Sequence, residues 1–282
     1  MYLTIGTAQF GVKYGLNKRK IKSTEIIKIK NIIKKNKIKY FDTSIYYRNS
    51  ESIIGKLNVK KKIITKITLP KQNKKNIKTW YKNTLNKSLK KLKVQKLYGL
   101  LIHDTSNILQ KDKELLNLVL DSKKNNIVSK IGISVYETKE VEKVLKFWTP
   151  DIIQFPINIF NQNFIKKNFL HKLKKLGIET HARSCFLQGL LLKKNLNTHS
   201  KKNKKIFKNY LEWSKVNKIS QLTACLHFVK QINYIDSLIV GFDDSFQLNE
   251  IIKTFNKKII SVPYKFMSND KKLIDPRKWS LN

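Results

Sequence analysis

Four short segments each end an apolar run on a residue able to do chemistry. They are Tyr40-Phe41-Asp42-Thr43-Ser44-Ile45-Tyr46-Tyr47, Ile63-Ile64-Thr65-Lys66, Leu100-Leu101-Ile102-His103-Asp104 and Asp151-Ile152-Ile153-Gln154. Asp, Tyr, Lys and His are the parts needed to donate a proton to a carbonyl oxygen. Lys66 interrupts a β-like run, and a lysine buried at a strand end requires a carboxylate partner, which Asp42 can supply. Taken singly, each residue has a plainer reading. Asp42-Thr43-Ser44 suits a turn, Ser50 a helix N-cap, Tyr46 and Tyr47 an aromatic rim, and His103 the edge of a core. His103 has no HxxxH or HExxH partner, and His171, His181, His199 and His227 are scattered, so a metal site is not expected. It is the order of the four segments along the chain that argues for one site.

The elements that must position these residues alternate from end to end. Strands are expected near 2–7, 39–43, 62–67, 97–103, 128–133, 151–155, 178–182 and 237–240. Between them lie lysine-rich amphipathic segments at 24–36, 50–57, 74–92, 112–125, 138–147, 164–176, 204–217, 220–232 and 245–256. In the first, Ile26, Ile29 and Ile33 recur at helical spacing among lysines. Strands alternating with helices imply parallel pairing with helical crossovers, and eight in that rhythm suggest a closed (β/α)8 TIM barrel. A barrel also places strand-end residues at one rim, where chemistry gathers. No GxGxxG follows the first strand, which disfavours a Rossmann cofactor site. Residues 1–282 read as a single domain with an irregular tail from about 261 that folds back over the barrel.

Composition bounds the partners. With 59 basic and 19 acidic residues the chain carries a formal charge of +40, yet all but four of the basic residues are lysines. Nucleic-acid readers favour arginine for its bidentate fork. Here lysine is spread over nearly every helix beside abundant Asn and Ile, the mixture an AT-rich coding sequence produces. A solvated lysine surface is therefore expected rather than a specific nucleic-acid site, although the charge raises nonspecific polyanion affinity at low salt. Cys185 and Cys225 read as buried free thiols. No apolar run approaches the roughly 18 residues of a membrane span, and no secretory leader is seen, so a cytoplasmic location is expected.

Together the segments resemble the aldo-keto reductase family, a (β/α)8 barrel that binds a nicotinamide nucleotide without a Rossmann fold. Gly6-Thr7-Ala8 matches the first-strand loop, and Phe41-Asp42-Thr43 with Tyr47, Ser50-Glu51 and Gly55 the second-strand signature. Lys66 and His103 fall where the catalytic lysine and histidine fall. Ile131-Gly132-Ile133-Ser134 and Ile153-Gln154 match residues that hold the carboxamide; Ala182-Arg183-Ser184 begins a pyrophosphate-side loop. Ile239-Val240-Gly241, with Gln247 and Glu250, resembles the adenosine-phosphate segment. More narrowly, the GTAQFG segment at 6–11 and RSCFLQGL at 183–190 resemble a bacterial branch of the family.

The resemblance implies an NAD(P)H-dependent reductase of aldehydes, ketones or sugars. Tyr47 would donate the proton, its phenol (ordinarily near pKa ~10) lowered by the Lys66 ammonium. Asp42 would pair with Lys66, and His103 would orient the carbonyl. Tyr47 is chosen over Tyr46 by its spacing from Asp42 and because neighbours on an extended segment point oppositely. The chain also departs from the family pattern. Arg48 follows Tyr47 where a small residue is common, Val135 replaces an Asn, and Arg183 stands where some members stack an aromatic ring. Asp243 stands where related segments carry a cation for the 2′-phosphate of NADPH; a carboxylate suits a ribose 2′-hydroxyl, so NADH is expected as well as NADPH. Phe10, Tyr46 and Trp279 are candidate substrate walls. An alternative reading is a nicotinamide-binding sensor or accessory subunit without turnover.

Overall fold

The computed structural model describes residues 1–70, 76–109, 113–195 and 200–279. Eight parallel strands close into a barrel in chain order: β1 (Tyr2–Gly6), β2 (Tyr40–Asp42), β3 (Lys62–Ile67), β4 (Leu97–Ile102), β5 (Val128–Ser134), β6 (Ile152–Pro156), β7 (Glu179–Arg183) and β8 (Ser237–Val240). β8 pairs back onto β1 through Tyr2↔Ser237 to Ile5↔Val240. Most strand residues are buried, as expected where helices cover the outside and side chains fill the inside.

The helices are α1 (Ala8–Gly11), α2 (Ser23–Lys35), α3 (Ser50–Lys56), α4 (Ile77–Leu92), α5 (Ser106–Leu109) and α6 (Glu114–Lys124). They continue with α7 (Thr138–Leu145), α8 (Phe169–Lys175), α9 (Lys201–Val216), α10 (Gln221–Lys230), α11 (Ser245–Asn256) and α12 (Lys271–Ile274). On α2, Ile29 and Ile33 are fully buried while its lysines face outward, so the helical apolar spacing is the barrel-facing stripe. The segment expected to be one helix over 164–176 is instead a 3-10 turn, Asn163–Asn168, followed by α8. Asn168 sits between them at φ +54, a conformation asparagine tolerates better than most residues. Residues 74, 75 and 112, at the expected starts of α4 and α6, and residues 280–282 lie outside the described residues.

The amino end of the barrel is closed by a polar cluster that spacing did not announce. Glu179 accepts from Tyr98 Oη at 2.8 Å, from His181 Nε2 at 2.9 Å, and from Tyr2 and Lys130. These donors hold the Glu179 carboxyl well below its ordinary range despite its burial. Beyond β8 the chain packs back on the barrel: Gln162 Nε2 donates to Tyr264 O at 2.9 Å, and Ser268 N to Phe160 O at 2.9 Å. Cys185 and Cys225 are buried and unpaired. Among the described residues no helix is long and apolar enough to cross a membrane.

Candidate active site

The carboxyl ends of the strands surround a cavity of about 360 Å³. Asp42 is the last residue of β2, and the ladder carries on beyond it: Thr43 N donates to Ile64 O at 2.8 Å and Ile45 N to Lys66 O at 3.3 Å. Lys66 lies one residue from the end of β3, with its side chain 2% exposed. Its Nζ donates to Asp42 Oδ2 at 2.5 Å and to Thr43 O at 2.9 Å. The carboxylate anticipated for a buried lysine is therefore present. Asp42 Oδ1 is taken by Gln154 Nε2 at 2.7 Å, so a residue of β6 holds the acid of β2 across the barrel.

Tyr47 sits in a tight turn between β2 and α3, where Tyr47 N donates to Ser44 O and Ser50 N to Tyr47 O. Ser50 anchors that turn: its hydroxyl lies 2.9 Å from Thr7 O and 3.0 Å from Thr43 Oγ1. Glu51 is buried and accepts from Thr65 Oγ1 and Ser88 Oγ, fixing the strand position just before Lys66. The Ser-Glu pair at the start of α3 is thus a support for the turn and for β3. Tyr47 lines the cavity with its ring centroid 5.6 Å from Lys66 Nζ; Tyr46 points out and donates to Thr68 O at 3.0 Å. His103 follows β4 directly, its backbone N bonded to Ile67 O at 2.7 Å, and lines the same cavity.

Electrostatics refine the sequence reading. Burial pushes the Tyr47 phenol above its ordinary range, and the Asp42 carboxylate adds to this while Arg183 opposes it. The expected lowering by Lys66 is not among the causes, although its ammonium lies 5.6 Å from the Tyr47 ring centroid. Burial also drives the Lys66 ammonium down, with Asp42 opposing. His103 is pushed down to about 3 by burial first, then by the charges of Lys66 and Arg183, so its imidazole is neutral at pH 7.

The remaining residues named from the sequence are placed as follows. Gly6, Thr7, Ser134, Gln154, Arg183, Ser184, Gly241, Asp243 and Gln247 line the cavity. Gln247 does so while completing an N-terminal cap of α11: its Oε1 accepts from Asp243 N at 3.0 Å, and Asp244 Oδ1 accepts from Gln247 N at 2.8 Å. Glu250 lies further along α11, paired with Lys253 at 3.2 Å and away from the lining. None of Phe10, Tyr46 and Trp279 lines the cavity: Phe10 is in the core, and Trp279 Nε1 donates to Leu273 O. The walls are supplied instead by Tyr14 and Tyr136, which lie in loops without any periodic signal. Tyr136 is fixed by the start of α7, where Glu140 Oε2 accepts from Tyr136 N at 2.7 Å.

A nicotinamide nucleotide can be tested against this lining. Gln154 Oε1 is buried with no partner among the described residues, and because Nε2 is committed to Asp42 the free atom must accept. A primary carboxamide offers the N–H that this acceptor lacks. At Gly6 a Cβ would lie 3.0 Å from the backbone Val240 O, so a side chain there would crowd β8, and at Gly241 one would displace the end of the Gln9 side chain. The residues present fit the group.

The sequence matches the model of the aldo/keto reductase family over residues 2–264. The chain belongs to that family. As an aldo/keto reductase it is an NAD(P)-dependent oxidoreductase of carbonyl chemistry. Among solved structures it is similar to an aldo-keto reductase from Bacillus halodurans in its holo form, with a TM-score of 0.74 at 15% identity, covering 92% of this chain and 88% of that one. It is also similar to a glycerol dehydrogenase from Gluconobacter oxydans, with a TM-score of 0.69 at 19% identity, covering 92% and 87%. At these identities the two share the reductase's fold. No curated protein matches the sequence.

Proposed function

We propose that this protein reduces the carbonyl of a small aldehyde, ketone or sugar to an alcohol, with Tyr47 as the general acid. The observation that carries the reading is the meeting of Tyr47, the Lys66–Asp42 pair and His103 in one cavity beside the unpartnered Gln154 Oε1. The reduced nicotinamide supplies the hydride. Gly6, Thr7, Ser134, Gln154, Ser184, Gly241 and Asp243 are the lining residues that would hold the nucleotide, with Gln247 shaping its far end; Arg183 stands at the catalytic end beside Val135.

The roles follow from the geometry. With its phenol raised by burial, Tyr47 is fully protonated at neutral pH and yields its proton only to a strong base. A substrate oxygen gaining negative charge is such a base. The phenolate left behind faces the ring-side ammonium of Lys66, and the Asp42 bond keeps that ammonium charged and in place. Neutral His103 donates a ring N–H to the carbonyl oxygen and orients it without competing for the proton.

Cofactor choice is proposed to be relaxed. Asp243 lines the cavity, and its carboxylate suits a ribose 2′-hydroxyl better than a phosphate. Asn17 Nδ2 reaches Asp243 Oδ2 at 3.4 Å, and Lys193 Nζ donates to Asn17 Oδ1 at 3.0 Å, so the nearby cation is already engaged. A fluorescence titration with NADH and NADPH, followed by absorbance loss across aldehydes, ketones and sugars, tests the whole reading. Binding with turnover supports it. Failure of both nucleotides to bind would reduce the family likeness to a fold.

A further inference from the structure

At the catalytic end of the cavity the charges can be paired off one by one. Asp42 and Lys66 neutralise each other at 2.5 Å, Tyr47 is protonated, and His103 is neutral. Arg183 is left over. It ends β7 at the rim and is half-buried. Its Nη2 donates to Val135 O at 3.0 Å, its Nη1 reaches Ser184 Oγ at 3.4 Å, and its guanidinium carbon lies 4.2 Å from the Tyr136 ring centroid. Among the described residues no carboxylate pairs with it. Its charge acts on Tyr14, Tyr47, Lys66 and His103 together, pushing all four down, which sets the guanidinium among the reacting groups rather than at the far end of the cavity.

The other guanidinium on Tyr136 makes an instructive contrast. Arg277 lies 3.4 Å from the ring centroid, and Asp275 receives it through two bonds, Nε to Oδ1 at 2.9 Å and Nη2 to Oδ2 at 2.7 Å. Both cations use one tyrosine face or edge as a platform, but the protein supplies an anion to only one of them. A half-buried guanidinium with unused donors, in a site that loses water as ligands enter, is costly unless an anion arrives with them.

Resting on the reductase reading above, we propose that the substrate carries an oxyanion group, a carboxylate or a phosphate, beside its carbonyl, and that Arg183 receives it. Arg183 is then the specificity-determining residue. Stacking on Tyr136 and the bond to Val135 O fix the plane of its fork, which favours planar, two-point recognition of an oxyanion.

The test is calorimetric titration of the NADPH- or NADH-saturated protein with butyrate and with butyramide, probes of equal size that cannot react. Butyrate should bind at least about tenfold tighter, as a charge-assisted hydrogen bond to a partly desolvated arginine warrants. Arg183→Met should erase the difference and Arg183→Lys should keep part of it, while nucleotide affinity stays within about threefold. Turnover then separates the two oxyanions: 4-oxobutanoate against butanal for a carboxylate, glyceraldehyde 3-phosphate against glyceraldehyde for a phosphate. Equal binding of butyrate and butyramide to the nucleotide-loaded protein overturns the inference and leaves the reductase standing. So does an Arg183→Met variant that loses nucleotide affinity with the butyrate preference unchanged, since Arg183 would then be a nucleotide ligand. Absence of nucleotide binding sinks both.

Discussion

Gly11 gives the sharpest handle on the catalytic geometry without touching a reacting group. It ends α1, and a Cβ built there would lie 1.6 Å from Tyr47 O, 2.7 Å from Tyr47 C and 2.9 Å from Ser50 N. Ordinary contact between such atoms needs roughly 3.3 to 3.5 Å, so Gly11→Ala must push the Tyr47 turn away by about 1.5 Å or more. The turn has little freedom to absorb this, because Ser50 is bonded to Thr7 and Thr43 and Tyr47 is bonded to Ser44. A displacement of about 1 Å at a reacting group costs on the order of a hundredfold in rate. We therefore expect Gly11→Ala to lower kcat/KM by about 10²-fold or more, with a smaller loss of nucleotide affinity because Gly6 and Thr7 lie just before α1. Gly177→Ala serves as the control: φ is +72 there, but the added Cβ meets nothing within 4 Å and the residue is not at the cavity. It should cost some stability and leave turnover intact. The assay is steady-state turnover alongside a nucleotide titration and a thermal melt. A folded Gly11→Ala variant with near-normal kcat/KM would refute the claim that the α1 contact sets the position of Tyr47.

Three further outcomes are expected. Among the described residues Lys66→Met leaves the buried Asp42 carboxylate with Gln154 alone, and breaking such a pair costs about 3–5 kcal/mol, which urea unfolding would register; a loss under about 1 kcal/mol would contradict the buried pairing. His103, held at about 3 when folded against an ordinary 6.5, takes up a proton more readily in the unfolded chain. Stability from this group is therefore full above pH about 6.5 and lost as pH falls from there toward 3, so His103→Gln should flatten the stability slope between pH 6.5 and 4; an unchanged slope would argue against a neutral buried imidazole. NADH should bind within about tenfold of NADPH at physiological salt, and Asp243→Ser should shift the preference toward NADPH; a large NADPH preference in the native protein would overturn the role given to Asp243.

Much of this molecule was legible in its sequence because a parallel barrel is a demanding template. Strands buried on both sides must be short apolar runs, and all eight fall within about a residue or two of where those runs predict. The catalytic candidates were legible for the same reason: a polar residue closing an apolar strand has only the rim to occupy. Asp42, Lys66, His103, Ser134 and Gln154 all meet there. What escaped lies in loops or depends on pairings distant in sequence. Tyr14 and Tyr136 carry no period, and the sharing of Tyr136 by Arg183 and Arg277 joins a strand end to the tail. The Tyr47 phenol is raised rather than lowered because burial, which no spacing announces, outweighs the neighbouring charge of Arg183. Glu250 fits the motif but lies outside the cavity lining, paired with Lys253.

The central claim is that Tyr47 delivers the proton from a site that otherwise binds normally. Tyr47→Phe removes one hydroxyl and keeps the ring beside Lys66. The decisive measurement is nucleotide affinity and single-turnover oxidation of NADH or NADPH, in the native protein and this variant, with the best carbonyl found. The account predicts equal nucleotide affinity and a loss of several orders of magnitude in the oxidation rate. Equal rates in the two proteins would contradict it and move the proton to another donor.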